Sequence, residues 1–254
     1  LGPHHESTRT TSMNLATAMA RSGDLAGAKT EFVKILDEAD KNLPLTDPRL
    51  GLIRQNLGFI SMQEGEFASA EKYFSDAYDL YGKTIGKESP PALLTLGNLG
   101  SLYCAMGDFD RGIKLLREAI EIGDRTGNEI YDQNVGRANE LANQLQNAGR
   151  IEESLIARRD VQRRADLMRA SDPVNAALYG TQYPLALARQ SKWEDAWPLL
   201  VAARANMIEA KVSEHPLFNN VLRALVKCAE ETNRTAEKFQ YESELPKPPP
   251  PTQP

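Results

Sequence analysis

Apolar residues along this chain recur three and four positions apart, in blocks that short polar turns interrupt. Met13, Ala16 and Ala20 form one such stripe, a turn follows at Gly23, and a second stripe begins at Leu25. This spacing predicts amphipathic helices, because one turn of an α-helix brings such positions onto the same face. Few windows alternate apolar and polar residues as a half-buried strand would. The pattern therefore predicts an all-α protein.

The blocks repeat with a period of 42 residues. The turn position holds this spacing through six cycles, at Gly23, Gly65, Gly107, Gly149, Ser191 and Asn233. Such a period indicates stacked helix pairs, in which each pair buries its apolar face against its neighbours. We predict a solenoid of six helical hairpins over residues 8–243, at about 8–42, 49–84, 90–126, 129–169, 173–211 and 215–243.

The loops between hairpins carry signals for the start of a helix. Pro48, Pro90 and Pro216 hold equivalent positions, where proline suits the first helical turn. Asp47 and Ser89 precede two of these prolines and are predicted to cap the helices that follow. His215 has a corresponding helix-entry role, and Asp172-Pro173 repeats the signal one residue out of step.

The two ends of the chain differ from the repeats. Leu1-Gly2 stands two whole periods before Ile85-Gly86, so residues 1–7 are interpreted as the end of a preceding repeat. The resulting hypothesis is that this is a C-terminal piece of a longer protein. Residues 244–254 are rich in proline and have nothing to bury, which predicts a disordered or polyproline-like tail.

Composition and charge exclude several classes of function. The net charge of −5 argues against non-specific binding to nucleic acid or to an anionic membrane. No segment approaches the roughly 20 consecutive apolar residues that a membrane span needs. Cys104 and Cys228 lie far apart, which favours buried thiols in a reducing compartment such as the cytoplasm.

Candidate catalytic or metal-binding residues are scarce. The chain has no HExxH, GxSxG or glycine-rich phosphate-loop motif. His4, His5 and His215 could suggest a metal site. However, His5 and His215 are separated by five periods, so they cannot share a metal ion. Cys104 lies in an apolar helix and is interpreted as packing. We therefore predict no enzymatic activity for this piece, no metal and no cofactor.

Particular residues give the repeats a resemblance to a known family. Ser-Met-Asn-Leu-Ala at 12–16 with Gly-Asp-Leu-Ala-Gly-Ala at 23–28 resembles the tetratricopeptide repeat, in its 42-residue kinesin-light-chain-like variety. Residues 55–58 with 65–70 and residues 97–103 with 107–112 repeat the motif. The resemblance implies a right-handed superhelix whose first helices line a concave groove for peptides. It also implies close helix approach at small residues: Ala16, Gly58 and Gly100, and Ala28, Ala70 and Gly112.

Within that pattern, Asn14, Asn56 and Asn98 recur once per period at a position that the resemblance places in the groove. An amide offers both a donor and an acceptor, so it can pair with an extended peptide backbone of any sequence. The alternative is that these asparagines brace neighbouring repeats, which would also recur once per period. The full set of groove candidates is Asn14, Gln55, Asn56, Phe59, Asn98, Asn139, Asn143, Arg223 and Lys227. Met62 and Leu94 are expected to supply apolar pockets beside Phe59, and Arg223 and Lys227 to receive an acidic ligand.

Two features of the later repeats depart from the pattern. Arg158 falls where other repeats have Phe32, Phe74 or Leu200, so its guanidinium is expected to reach water or to find a carboxylate. This indicates either a worn repeat or a contact surface. Trp193 and Trp197 share one helix face and are expected to fill the interface of the fifth repeat.

These observations favour a non-catalytic scaffold that binds a protein or peptide in the groove of a repeat array. A second hypothesis is a regulatory or substrate-recruiting region of a larger enzyme. The resemblance makes a bacterial serine/threonine protein kinase the leading parent. A third hypothesis is a self-association scaffold. The sequence does not decide between them.

Overall fold

The computed structural model describes residues 6–127 and 131–246, and within these ranges every regular element is an α-helix. There are thirteen helices in the described residues: α1 (Glu6–Arg21), α2 (Leu25–Asn42), α3 (Pro48–Gln63), α4 (Phe67–Thr84), α5 (Pro90–Ala105), α6 (Phe109–Thr126), α7 (Tyr131–Asn147), α8 (Ile151–Met168), α9 (Pro173–Tyr179), α10 (Gln182–Arg189), α11 (Trp193–Glu209), α12 (Pro216–Glu231) and α13 (Thr235–Glu244). The predicted all-α repeat array is confirmed.

The turn inside each repeat has the same backbone geometry. Gly23, Gly65, Gly107 and Gly149 all have positive φ, between 73° and 94°. Ser191 and Asn233 continue the series with φ values of 56° and 57°. This left-handed conformation ends a helix by redirecting the chain, and glycine adopts it without steric cost. The period therefore marks the turn even where glycine has been replaced.

Side chains cap three of the four predicted helix starts. Asp47 Oδ1 accepts a hydrogen bond from Arg49 N, and Asp172 Oδ1 accepts one from Asn175 N, both at 2.9 Å. His215 Nδ1 accepts from Leu217 N at 3.2 Å. Ser89 occupies the N-cap position of α5, but its hydroxyl donates to the Gly86 carbonyl at 2.7 Å and makes no cap bond.

The chain divides into two compact units, and the first is Leu1–Gln144. In this unit helices α1 to α6 each pack on the next, and the opening helices α1, α3 and α5 also contact one another in order. Small residues allow these close contacts. A Cβ added at Gly58 would lie 2.7 Å from the Phe74 ring, and one added at Gly100 would lie 2.9 Å from the Gly112 carbonyl. Ala16, Ala28 and Ala70 are fully buried, as the resemblance implied.

The second unit is Leu145–Pro254, with one apolar core built from α8 to α13. Trp193 and Trp197 pack against this core, as predicted. The Trp197 ring meets the Tyr241 ring edge-on at 6.0 Å, and the Arg234 guanidinium lies 4.8 Å from the Trp197 ring centre. These contacts tie α11 to α13 at the last repeat.

The opening helix of the fifth repeat is broken, which the sequence pattern did not predict. α9 ends at Tyr179 and α10 begins at Gln182, with Gly180 and Thr181 between them. Pro184 has no N–H to donate to the Gly180 carbonyl, so a continuous helix would lack a hydrogen bond at this point. In the observed arrangement Pro184 falls in the first turn of α10, where a missing N–H costs little.

The predicted terminal segments fall largely outside the described residues. The described chain begins with α1 at Glu6, and its last helix ends at Glu244. Most of the predicted preceding repeat and of the proline-rich tail therefore lies beyond what the structure describes, as do His4 and His5. The predicted domain boundaries stay predictions.

The Arg158 side chain is buried, although the sequence predicted that its guanidinium could extend to the solvent. Its side chain is only 3% exposed. The guanidinium donates to Gln146 Oε1 at 2.9 Å and to Gln182 Oε1 at 3.5 Å. Burial and the nearby charge of Arg189 lower the pKa of Arg158. The slot that holds phenylalanine or leucine elsewhere thus holds a cation whose hydration has been lost.

We expect Arg158→Leu to raise the free energy of unfolding by about 1–2 kcal/mol, because replacing a buried ion by an apolar side chain is often stabilising. Urea denaturation of the whole chain measures the change. Arg159→Leu is the matched control, since Arg159 is an exposed neighbour and its replacement should change stability by at most about 0.5 kcal/mol. A loss of stability in Arg158→Leu alone would show that its hydrogen bonds outweigh its lost hydration.

Candidate functional site

A groove runs along the opening helices of the first unit and consists of three joined pockets. The first, about 340 Å³, lies between α1 and α3, and the central one, about 530 Å³, lies between α3, α5 and α7. Phe59 lines both of these pockets. The third, about 330 Å³, shares Leu94 and Gln133 with the central pocket. We call this continuous surface the first-unit groove.

Apolar side chains form much of its wall. Phe59 is 43% exposed and Leu94 is 46% exposed, and Met62 lies beside them in the central pocket. The neighbours Leu57 and Leu93 are buried in the packed interior. Phe59 and Leu94 therefore occupy the opposite side of their helices and leave apolar surface open to a ligand. The sequence had predicted all three apolar residues as groove pockets.

Among the described residues, the three asparagines make no side-chain hydrogen bond to a neighbouring repeat. Asn56 Nδ2 donates to the Leu52 carbonyl of its own helix at 2.9 Å, and Asn56 lines the first pocket. Asn98 is half-buried at the central pocket, and Asn14 is exposed. Within the described residues, neither Asn14 nor Asn98 makes a side-chain hydrogen bond. The Asn98 amide and the Asn56 Oδ1 are therefore available along the groove.

Gln55 is the most deeply buried of the predicted groove residues. It is 6% exposed and lines the third pocket with Pro48 and Pro90. Its amide makes no hydrogen bond among the described residues. An amide offers both a donor and an acceptor, so a polar group of a ligand in the third pocket could pair with it.

The remaining predicted residues lie apart from these pockets. Asn139 and Asn143 are half-buried on α7, and neither lines the central pocket. Arg223 and Lys227 belong to α12 of the second unit. Arg223 is exposed, while Lys227 forms ion pairs with Glu230 at 3.2 Å and Glu231 at 2.6 Å. The charge of Lys227 is thus already compensated within its own helix.

Sequence reasoning missed Arg137, which lines the central pocket and is 6% exposed. Its Nη1 donates to Asn134 Oδ1 at 2.5 Å and its Nη2 to Gln133 Oε1 at 3.4 Å. Burial lowers the pKa of this guanidinium. The 42-residue period could have predicted this burial. The equivalent residues one and two repeats earlier are Thr95 and Ile53, and both are buried.

Glu140 stands one helical turn from Arg137 on the same pocket. It stands 42 residues after Asn98, at the position where the three earlier repeats have asparagine. Its Oε1 accepts hydrogen bonds from Ser101 Oγ at 3.1 Å and from Gln144 Nε2 at 2.7 Å. The carboxylate is therefore held by neutral donors on α5 and α7.

Other reactive groups are placed as packing residues. Cys104 and Cys228 are buried free thiols, and burial raises the pKa of Cys104 to about 11. Among residues 6–127 and 131–246, no three His, Cys, Asp or Glu side chains are grouped as a metal site would require. No described helix combines the length and apolarity of a membrane span.

Comparisons with known proteins identify a tetratricopeptide repeat region and a shared fold. Residues 51–125 match the family model for the tetratricopeptide repeat. A putative kinesin light chain from Podosopora anserina, with nearly identical TPR-like repeats, superposes with a TM-score of 0.64 at 18% identity, covering 83% of this chain and 99% of that one. Residues 51–125 therefore carry the tetratricopeptide repeat, and the superposition shows the same fold over most of the chain.

Two further structures share the tetratricopeptide fold. BtubC (BKLC) from P. vanneervenii gives a TM-score of 0.59 at 15% identity, covering 97% of this chain and 86% of that one. A Rap protein complexed with competence and sporulation factor gives 0.61 at 9% identity, covering 91% and 71%. No curated protein sequence matches the chain. The putative kinesin light chain structure agrees in fold with the kinesin-light-chain-like variety that the resemblance predicted.

Proposed function

We propose that this chain is a non-catalytic scaffold that binds a protein or peptide in the first-unit groove. The observation that carries the proposal is the run of three joined pockets with apolar walls and open amides. Phe59 and Leu94 offer exposed apolar surface, while Asn98 offers a donor and an acceptor beside them. A surface of this kind can hold an extended backbone by its polar groups and select apolar side chains by its pockets.

The family supports a binding role. Tetratricopeptide arrays present extended surfaces formed by stacked helix pairs, and such surfaces commonly bind other proteins. The Rap structure was obtained with a bound factor, which is in keeping with a binding use of the fold. Affinity for an unknown partner would come from the apolar pockets, and orientation from the amides.

The test is a double substitution, Asn56→Ala with Asn98→Ala, in the full chain. A pull-down with the purified protein followed by peptide mapping supplies the binding segment. We expect the double variant to bind this segment about 2 kcal/mol more weakly, because polar groups of the ligand then lose partners while staying desolvated. The melting temperature should stay within about 1 °C, because surface substitutions that break no packing change stability little.

Asn42→Ala is the matched control. Asn42 Nδ2 donates to the Glu38 carbonyl of its own helix at 2.7 Å, as Asn56 does with Leu52, but Asn42 lies outside the three pockets. Its replacement should leave binding unchanged. A double variant with a lower melting temperature and unchanged affinity would retire the asparagines as binding residues and support the bracing alternative.

The wider setting of this scaffold remains a separate proposal. The resemblance to 42-residue arrays that follow kinase domains favours a regulatory or substrate-recruiting region of a bacterial serine/threonine kinase, acting in the cytoplasm. Translation of the DNA upstream of Leu1 tests this, and an upstream frame without a kinase domain would contradict it. Light scattering across a concentration series tests the self-association alternative.

A further inference from the structure

Arg137 is a buried charge for which the described part of the chain offers no acidic partner. No carboxylate of the described residues lies within ion-pair distance of its guanidinium, and its partners are the neutral amides of Asn134 and Gln133. Its Nε is buried and has no hydrogen-bond partner. A cation removed from water loses its hydration, and neutral amides restore only part of that loss. An anionic ligand beside the guanidinium would offset the rest of the lost hydration energy.

The guanidinium is held in place from behind. Asn134 is fully buried, and its Nδ2 donates to Asp124 Oδ1 at 3.2 Å. Gly123 makes room for it, since a Cβ there would lie 2.1 Å from the Asn134 side chain. Asn134 therefore lies between the Asp124 carboxylate and the Arg137 guanidinium and hydrogen-bonds to both. This arrangement fixes the side chain at the wall of the groove, as a binding residue requires.

The other charge on this pocket has its own partners. Glu140 accepts from Ser101 and Gln144 and forms no ion pair with Arg137. Around the two charged residues the walls are apolar, with Phe59 and Leu94 the most exposed. The pocket is therefore complementary to a carboxylate that has apolar side chains next to it, approaching from the Arg137 side.

We propose that Arg137 is the specificity-determining residue of the first-unit groove and pairs with an aspartate or glutamate side chain of an extended partner segment. The apolar side chains that flank this acidic residue pack on Phe59 and Leu94. The inference rests on the proposed peptide-binding function and adds the chemistry of the ligand to it. A guanidinium is suited to this role because it stays charged and can donate two parallel hydrogen bonds to one carboxylate.

The experiment uses a set of short fluorescein-labelled peptides with amidated C-termini. Each has a central glutamate between apolar residues and a twin with glutamine in its place. Fluorescence polarisation measures the affinity of the full chain for both. We expect wild type to prefer the glutamate twin by about tenfold or more, because a hydrogen bond to a charged group contributes that much. Arg137→Gln should remove the preference, Arg137→Lys should keep part of it, and Glu140→Gln should keep or enlarge it.

Arg117→Gln is the matched control, because Arg117 is an exposed arginine on α6 of the same unit and lines none of the three pockets. Its replacement should leave the preference intact. Equal affinity of wild type for the two twins, or loss of the preference in Arg117→Gln but not in Arg137→Gln, would overturn the inference and leave groove binding standing. Failure of every peptide to bind would overturn the proposed function with it. If Arg137→Gln loses its helical circular dichroism signal, the inference is tested by the glutamate preference of wild type and of Arg137→Lys instead.

Discussion

Replacing Phe74 with alanine is expected to lower the free energy of unfolding by about 3–5 kcal/mol, which is typical of a phenylalanine removed from a packed core. Phe74 is fully buried on α4 and packs with Leu99, Leu102 and Tyr103 of the next repeat. Its ring also lies over Gly58 of α3. The side chain thus joins the second repeat to the third, and its loss opens a cavity between them. Denaturation by urea, followed by circular dichroism, measures the effect.

Phe59→Ala is the control for this substitution. It removes the same side chain from α3, but Phe59 is 43% exposed and lines the groove. We expect a change of at most about 1 kcal/mol, because little packing is lost at an exposed position. Similar losses for Phe59→Ala and Phe74→Ala would contradict the placement of Phe74 in the interface between repeats.

The second large effect is expected at Gly112, where alanine should cost about 3 kcal/mol, the upper part of the range for an overpacked core. A Cβ at this position would lie 2.5 Å from the Gly100 carbonyl and 2.3 Å from Cys104 Sγ. The thiol could rotate, but the carbonyl belongs to the backbone of α5. Helices α5 and α6 would therefore have to move apart. Thermal unfolding measures the loss as a lower melting temperature.

Gly97→Ala is a control with the opposite expected sign. Gly97 also lies inside helix α5, but the nearest atom to an added Cβ would be Arg137 Cδ at 3.8 Å, an ordinary contact. Alanine costs less conformational entropy than glycine in a helix, so we expect a gain of about 0.5–1 kcal/mol. A loss of stability for Gly97→Ala as large as that for Gly112→Ala would contradict the contact argument.

The period predicted much of the architecture because each repeat makes the same local contacts. Glycine at 42-residue intervals marked turns that the structure shows with positive φ, including the positions held by Ser191 and Asn233. Ser89 takes the predicted N-cap position without the cap bond, because its hydroxyl donates backward along the chain to the Gly86 carbonyl. The break at Gly180 was not predicted, because the apolar stripe continues across it. Pro184 was the signal in the sequence, since it has no N–H to donate to the Gly180 carbonyl.

The groove was predicted less completely than the fold. Phe59, Met62, Leu94 and Asn98 were named from the sequence and line one pocket. Arg223 and Lys227 were named for their charge, but the charge of Lys227 is compensated by Glu230 and Glu231. Arg137 has a similar charge and was overlooked, because sequence spacing does not show which charged side chain lacks an acidic partner.

The sequence by itself determined the helices, their pairing into repeats and the small residues at which they meet. Such features depend on neighbours along the chain or one period away, and each repeat carries the same signal. The tertiary structure decided which polar groups are satisfied. Arg158 and Arg137 both stand in slots that other repeats fill with uncharged side chains, yet only the packed structure shows the glutamines around one and the groove beside the other. Burial and hydrogen bonding depend on atoms brought together from several helices, so no local pattern encodes them.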